Sequence, residues 1–126
     1  MNHTVSDFII RIKNASLARR KTIVVPLSKM NKEMAAVLIK EKLLSSCKEE
    51  VVEGRKMLVV ALQYEQRDPA ITSVLIISKP SLRVYKKANT VQRGIGTSLI
   101  STSLGIMTQK EARKKGIGGE LLFTIW

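Results

Sequence analysis

Histidine and cysteine are almost absent from this chain: His3 and Cys47 are the sole examples among its 126 residues. One cysteine excludes an internal disulfide framework and fits a reducing compartment. One imidazole, near the start of the chain, removes the commonest general base. The three or four clustered ligands of a metal site are missing too. Aromatic residues make up 4%, too few for a platform on which successive unpaired bases stack. No apolar run approaches the ~20 residues of a membrane-spanning helix. Met1-Asn2-His3-Thr4-Val5-Ser6-Asp7 carries no basic region followed by an apolar stretch, so no signal peptide is expected. The expectation is a soluble intracellular protein. Acids are also scarce, with 10 Asp and Glu against 22 Lys and Arg, giving a net charge of +12.

What is present is enough for a core. Apolar residues form 44% of the chain, and the length suits one ordinary domain or two small ones. The distribution of charge says more than its total. Residues 1–30 carry +5, residues 31–78 are neutral and residues 79–126 carry +7. Two basic ends around a neutral middle point to nucleic acid as the partner, ahead of a basic surface kept for solubility. An anionic membrane is a weaker fit, because no basic amphipathic helix shows a broad apolar face with aromatics.

The pattern predicts a helix over 6–20, capped by Ser6 or Asp7, with Phe8, Ile9, Ile12, Ala15 and Ser16 on one stripe. Thr22 to Val25 reads as a strand stopped by Pro26. Ser28 caps a second helix over about 29–44, whose face Met30, Met34, Val37 and Leu38 includes an odd Glu41. Strands around Glu53-Gly54-Arg55 form a hairpin, and Gln66-Arg67-Asp68-Pro69 reads as a linker. Ala70 to Ile77 is a strand, Leu82 to Tyr85 a short extended piece, and Thr97 to Thr102 a further strand. Thr108 caps a helix over Gln109 to Lys115 that Gly116 ends, and Glu120 to Trp126 is the last strand. The fold class expected is α+β, with an N-terminal α-β-α-β-β unit (1–66) and a mostly β C-terminal unit with a short helix (67–126).

The candidate site begins with Ser101-Thr102-Ser103-Leu104-Gly105, set between two apolar stretches. Three adjacent hydroxyls offer three donors and three acceptors on short side chains, able to meet a base edge or a ribose 2′-OH. The glycine permits a sharp turn and close approach. As nucleophiles these serines lack both a nucleophile elbow and a base. Gly94-Ile95-Gly96 lacks the remaining residues of a dinucleotide or phosphate loop and reads as a tight turn before a strand. Glu120, beside Gly118-Gly119, suits an ion pair or backbone hydrogen bonds better than acid catalysis. Cys47, near Glu49 and Glu50, reads as a small core or near-surface residue. Arg83, Tyr85, Lys86 and Lys87 form a basic run with one aromatic. There Tyr85 is either a stacking ring for an unpaired base or a core residue flanked by solvated charges. Lys13 and Asn14, with Arg19-Arg20-Lys21, are either contacts to RNA backbone or a solvated helix face. The low aromatic content favours a binder of folded RNA, read through shape, phosphate and 2′-OH. No zinc finger, basic zipper or helix-turn-helix for duplex DNA is evident.

Five segments, in order, carry a resemblance. They are Ser6 to Ala15, Pro26-Leu27-Ser28-Lys29, Lys79 to Tyr85, Ser101 to Thr108, and Gly116-Ile117-Gly118-Gly119-Glu120. Over essentially its whole length the chain resembles the bacterial-type small-subunit ribosomal protein S-eight family. The resemblance implies an α+β protein of two small domains. It implies a structural, non-catalytic role: binding the central domain of small-subunit rRNA early in assembly. No cofactor or metal is implied, and neither is a membrane or small-molecule substrate. Neighbouring small-subunit proteins are implied as partners, on the cytoplasmic ribosome of a bacterium or the ribosome of a plastid or mitochondrion. By motif match, Ser101, Thr102, Ser103 and Gly105 would meet an irregularly paired RNA helix, with Tyr85, Gly118 and Gly119 nearby. Lys13, Asn14, Lys29 and Arg83 would add contacts to backbone or sugar. The chain departs from the family pattern in His3-Thr4 for the usual Asp-Pro and in Ser81 for a glycine. Leu104 stands where lysine is common, and Ala88 to Arg93 match poorly. A nucleic-acid-modifying enzyme and an architectural DNA binder are the competing classes. The first lacks His, Cys and acid clusters, and the second lacks a reading helix or minor-groove wedge.

Overall fold

The computed structural model describes residues 3–77, 85–86 and 96–126. The N-terminal helix α1 spans His3–Leu17. It forms because Val5, Phe8, Ile9, Ile12 and Ala15 recur at helical spacing and all are buried. Full burial of Phe8, Ile9 and Ile12 contributes about 1.5–3 kcal/mol each. The helix starts earlier than the cap signal suggests, so Ser6 and Asp7 lie inside it and cap nothing. Asp7 instead accepts a hydrogen bond at 3.1 Å from Arg11 Nε, one turn on. Arg11 Nη1 in turn donates to the Val24 carbonyl at 2.9 Å, tying the helix to the next strand. At its other end Arg20 N bonds the Ala15 carbonyl and Arg19 N the Ser16 carbonyl. This Schellman pattern puts Arg19, at φ 55°, in the left-handed region.

Strand β1 (Thr22–Pro26) precedes α2 (Lys29–Lys40), which leads to β2 (Leu44–Val52) and β3 (Arg55–Leu62). The sheet is antiparallel with order β1-β3-β2. Its hairpin turns on Glu53 and Gly54 alone, at φ 52° and 78°, the signature of a type I′ turn. Ser28 caps α2, its side chain accepting from Asn31 N at 3.1 Å. The helix stops four residues short of the expected 44. Lys42, at φ 62°, takes the left-handed position, and Leu43 N reaches back to the Leu38 carbonyl. That early stop explains the odd acid on the apolar face: Glu41 lies past the last turn and is exposed. Cys47 on β2 is a free, half-buried thiol packed against the core. On the same strand Lys48 Nζ lies 2.8 Å from Glu50. That hydrogen bond, with the carboxylate's charge behind it, raises the lysine above its ordinary pKa.

The expected linker is a small hairpin, β4 (Tyr64–Glu65) against β5 (Asp68–Pro69). The C-terminal end of α1 holds it down. Tyr64 donates its hydroxyl proton to the Arg20 carbonyl, and Arg19 bonds the Arg67 carbonyl. Ser16 then donates to the Ile71 carbonyl at 2.7 Å within the interior.

The second sheet holds β6 (Val74–Ile76), β7 (Tyr85–Lys86), β8 (Thr97–Thr102), β9 (Gly105–Thr108) and β10 (Gly119–Ile125). Its order is β6-β10-β8-β9, with β7 also on β10, and every pairing is antiparallel. The expected strand over 70–77 is limited to β6. Of the extended piece at 82–85, only Tyr85 falls within the described residues. β9 was not anticipated at all. Helix α3 (Gln109–Lys115) has the expected bounds, with Thr108 as cap and Gly116, at φ 72°, as stop.

A bulge at Leu122, where the β8–β10 register shifts, lets Leu121, Leu122 and Phe123 all be buried. Leu99, Leu122, Phe123 and Ile125 join α1, α2 and the first sheet in the main core. Ile100 and Met107, on the opposite face, pack with Ala112 of α3.

Candidate nucleic-acid interface

The hydroxyl segment is the tip of the β8–β9 hairpin. Thr102 pairs with Gly105, leaving Ser103-Leu104 as a two-residue connection. Both keep negative φ, and Gly105, at φ 113°, supplies the left-handed residue that closes the turn. The three hydroxyls have different duties. Thr102 Oγ1 donates to the Gly105 carbonyl at 2.8 Å and accepts from Leu104 N at 3.1 Å. Its donor is therefore committed to holding the turn. Ser103 is exposed, and Ser101, half-buried, precedes it by two residues. Neither serine hydroxyl bonds within the chain among the described residues. Leu104 is 67% exposed at the tip.

Gly119 braces this hairpin from behind. A Cβ added there would fall 2.1 Å from the Ser101 carbonyl oxygen and 3.2 Å from Thr102 Cα. Only a glycine allows β10 to come so close. Glu120 follows, with Ser101 opposite it on one side and Tyr85 on the other. The sheet therefore lines up Tyr85, Glu120, Ser101 and Ile106 across four strands. Gly118 is exposed in the connection that enters β10.

Lys29 and Asn14 are exposed and Lys13 is half-buried. Lys29 opens α2 one turn before Glu33, whose Oε1 would lie 3.5 Å from a Cβ on Gly105. The basic helix start and the hydroxyl hairpin thus share one side of the molecule. Asn14 belongs to a different place, a groove of about 520 Å³ between α1 and β1 that it lines with Arg11, Arg20 and Thr22. Arg83 lies outside the described residues, as do Gly94 and Ile95. Gly96 does make a close approach: a Cβ there would meet the Ile125 carbonyl oxygen at 2.8 Å.

Sequence reasoning passed over Glu33, because a single acid on a helix has no distinguishing pattern until β9 brings Gly105 beside it. It also passed over Lys110, Arg113, Lys114 and Lys115, all exposed on α3. Their signal was visible as the excess charge of the C-terminal end. Among the described residues no group of three or more His, Cys, Asp or Glu side chains could hold a metal ion. No described helix is long and apolar enough to cross a membrane.

The family model described as ribosomal protein S8 matches residues 3–126. The chain belongs to that family. Relatives include the small ribosomal subunit protein uS8 of Trichormus variabilis, 44% identical over 99% of this chain and 98% of its own length. The uS8 of Thermosynechococcus vestitus is 44% identical over 100% and 98%. The protein uS8c of Guillardia theta is 40% identical over 99% and 98%. Within this S8 chain, the motif-matched residues Ser101 to Gly105 and Gly119 are those that meet in the braced hairpin. Asn14 lies instead in the groove between α1 and β1.

Proposed function

We propose that this chain is a structural component of the small ribosomal subunit that binds the central domain of small-subunit rRNA and helps its assembly. It works on the ribosome of a bacterium or a plastid, beside other small-subunit proteins. The observation that supports this most is the β8–β9 hairpin. Its tip is locked by Thr102, backed by Gly119, and presents two uncommitted serine hydroxyls. Preorganised short hydroxyls suit the 2′-OH and base edges of an irregular RNA, which only a fixed backbone can meet in register. The C-terminal unit (67–126) makes the main contact, with Gly118 and Tyr85 beside the hairpin. The N-terminal unit (1–66) adds Lys13, Asn14 and Lys29, and Arg83 adds a further cation. Phosphate contacts from these cations give affinity, and the hairpin gives discrimination. The role is structural, not catalytic.

Binding measured against a central-domain rRNA fragment, its fully duplexed variant and DNA tests this reading. The fragment is expected to bind tightest at every salt concentration. Ser103→Ala lowers affinity for the fragment by about tenfold, the worth of roughly one hydrogen bond, and leaves the other two ligands unchanged. Equal affinity for all three, insensitive to the substitution, overturns it.

A further inference from the structure

We propose that Glu33 reads a base of the bound RNA, its carboxylate accepting hydrogen bonds from the Watson–Crick edge of an unpaired guanine held at the Ser101–Gly105 hairpin. The inference rests on the RNA-binding reading above and deepens it.

Position and the lack of a partner converge on Glu33. It stands against the hairpin, with Oε1 3.5 Å from the point a Cβ on Gly105 would occupy. It is half-buried, yet it makes no hydrogen bond or ion pair among the described residues. The half-buried carboxylate of Glu111, by contrast, is paired with Lys40 at 3.1 Å. Finally, the chain carries +12 overall with 22 cations, and none of the described ones pairs with Glu33.

The chemistry of RNA then selects the ligand. A phosphate offers only acceptors and repels a carboxylate, so Glu33 gains nothing from the backbone charge that draws in Lys29. The donors RNA can offer are 2′-hydroxyls and base N–H groups. The serines beside Glu33 can both donate and accept, so they serve 2′-hydroxyls without it. A carboxylate only accepts, through two oxygens side by side. Guanine alone among the bases presents two adjacent donors, N1–H and the N2 amino group, that match this spacing. Such a charge-assisted pair is strong and geometrically selective. It requires a guanine not engaged in Watson–Crick pairing, which an irregular helix supplies and a regular duplex does not. Glu33 would thereby also repel any register that laid a phosphate against Gly105.

The test uses the full chain and the central-domain rRNA fragment, with each unpaired guanine replaced in turn by inosine, which lacks the N2 amino group. Wild type is expected to lose about tenfold in affinity at one position. Glu33→Ala loses a similar factor on the unmodified RNA and is indifferent to inosine at that position. Glu33→Gln, which keeps the side-chain shape and one acceptor oxygen but sets an amide donor against a guanine donor, also binds the unmodified RNA more weakly and keeps at most part of the inosine penalty. Thermal melts of both variants separate a folding defect from a binding one. Ser103→Ala serves as the contrast, binding more weakly overall with its inosine penalty intact. If both Glu33 variants bind every RNA as tightly as wild type or tighter, or retain the inosine penalty, the proposal is overturned and RNA binding stands. If wild type itself prefers the fragment no more than its duplexed variant, the RNA reading fails first and takes this inference with it.

Discussion

Gly105 and Gly119 lie on the two strands that flank β8, and they are glycines for opposite reasons. Gly105 needs its backbone conformation, φ 113°, while the space around it is open to 3.5 Å. Gly119 needs the space, since an added Cβ would penetrate the Ser101 carbonyl. Backbone cannot swing aside as a flexible side chain can, so β10 and β8 must separate to admit even a methyl group. Gly119→Ala is therefore expected to destabilise the fold by about 1–3 kcal/mol, measured by urea unfolding. Its effect on binding should exceed that of Ser103→Ala, because it moves Ser101, Thr102 and the turn together. A variant that unfolds as wild type does and binds rRNA normally would show that the brace is unimportant. Thr102 completes the picture at this scale: its hydroxyl lies within the motif, yet its proton already serves the turn.

At the scale of elements, the three described helices differ in how they end. All three close with a residue in the left-handed region, but only α3 uses glycine there, and α1 and α2 use Arg19 and Lys42. A left-handed non-glycine residue is strained by about 1 kcal/mol or more. Lys42→Gly should relieve that strain and raise stability by about 0.5–1 kcal/mol, visible as a higher urea midpoint at unchanged slope. A lower midpoint would mean that the Lys42 side chain contributes something its exposed position does not suggest. The same difference explains which boundaries were legible in the sequence. α3 carries both a Thr108 cap and a Gly116 stop, and these fix its bounds in the sequence. α2 carries the Ser28 cap but no glycine stop, so its apolar pattern runs four residues past its true end. At α1 the candidate caps Ser6 and Asp7 are false signals, because the helix already begins at His3. β8 was legible from its β-branched and apolar run. β9 is not, because four residues that begin with a glycine carry too little pattern to distinguish a returning strand from a loop. That loss mattered for the site. Without β9 the hydroxyls could be seen as a cluster, but Glu33 could not be seen beside them.

For the whole molecule, the useful quantity is where the charge sits relative to the two sheets. Two of the three strands of the first sheet, β2 and β3, and most of α2 come from the neutral middle of the chain, where Lys32 pairs with Glu49 and Lys48 with Glu50. Four of the five described strands of the second sheet, β7 to β10, and α3 come from the end that carries +7, and Lys110, Arg113, Lys114 and Lys115 project from α3 into solvent. If RNA lies along the C-terminal half, counterion release should depend on those cations and not on the exposed cations of the first sheet. The slope of log affinity against log salt measures this directly, since each neutralised phosphate contributes about 0.7–0.9. The double variant Lys114→Gln, Lys115→Gln should flatten the slope for the rRNA fragment by about 1.4–1.8 if both cations meet phosphates. Lys56→Gln, on the hairpin of the first sheet, should leave it unchanged. Discrimination between the fragment and its duplexed variant should survive in both proteins, because phosphate neutralisation carries affinity but not sequence or shape. Equal flattening by both variants would mean that the positive field acts as a diffuse whole, and a larger effect of Lys56→Gln would put the RNA against the first sheet.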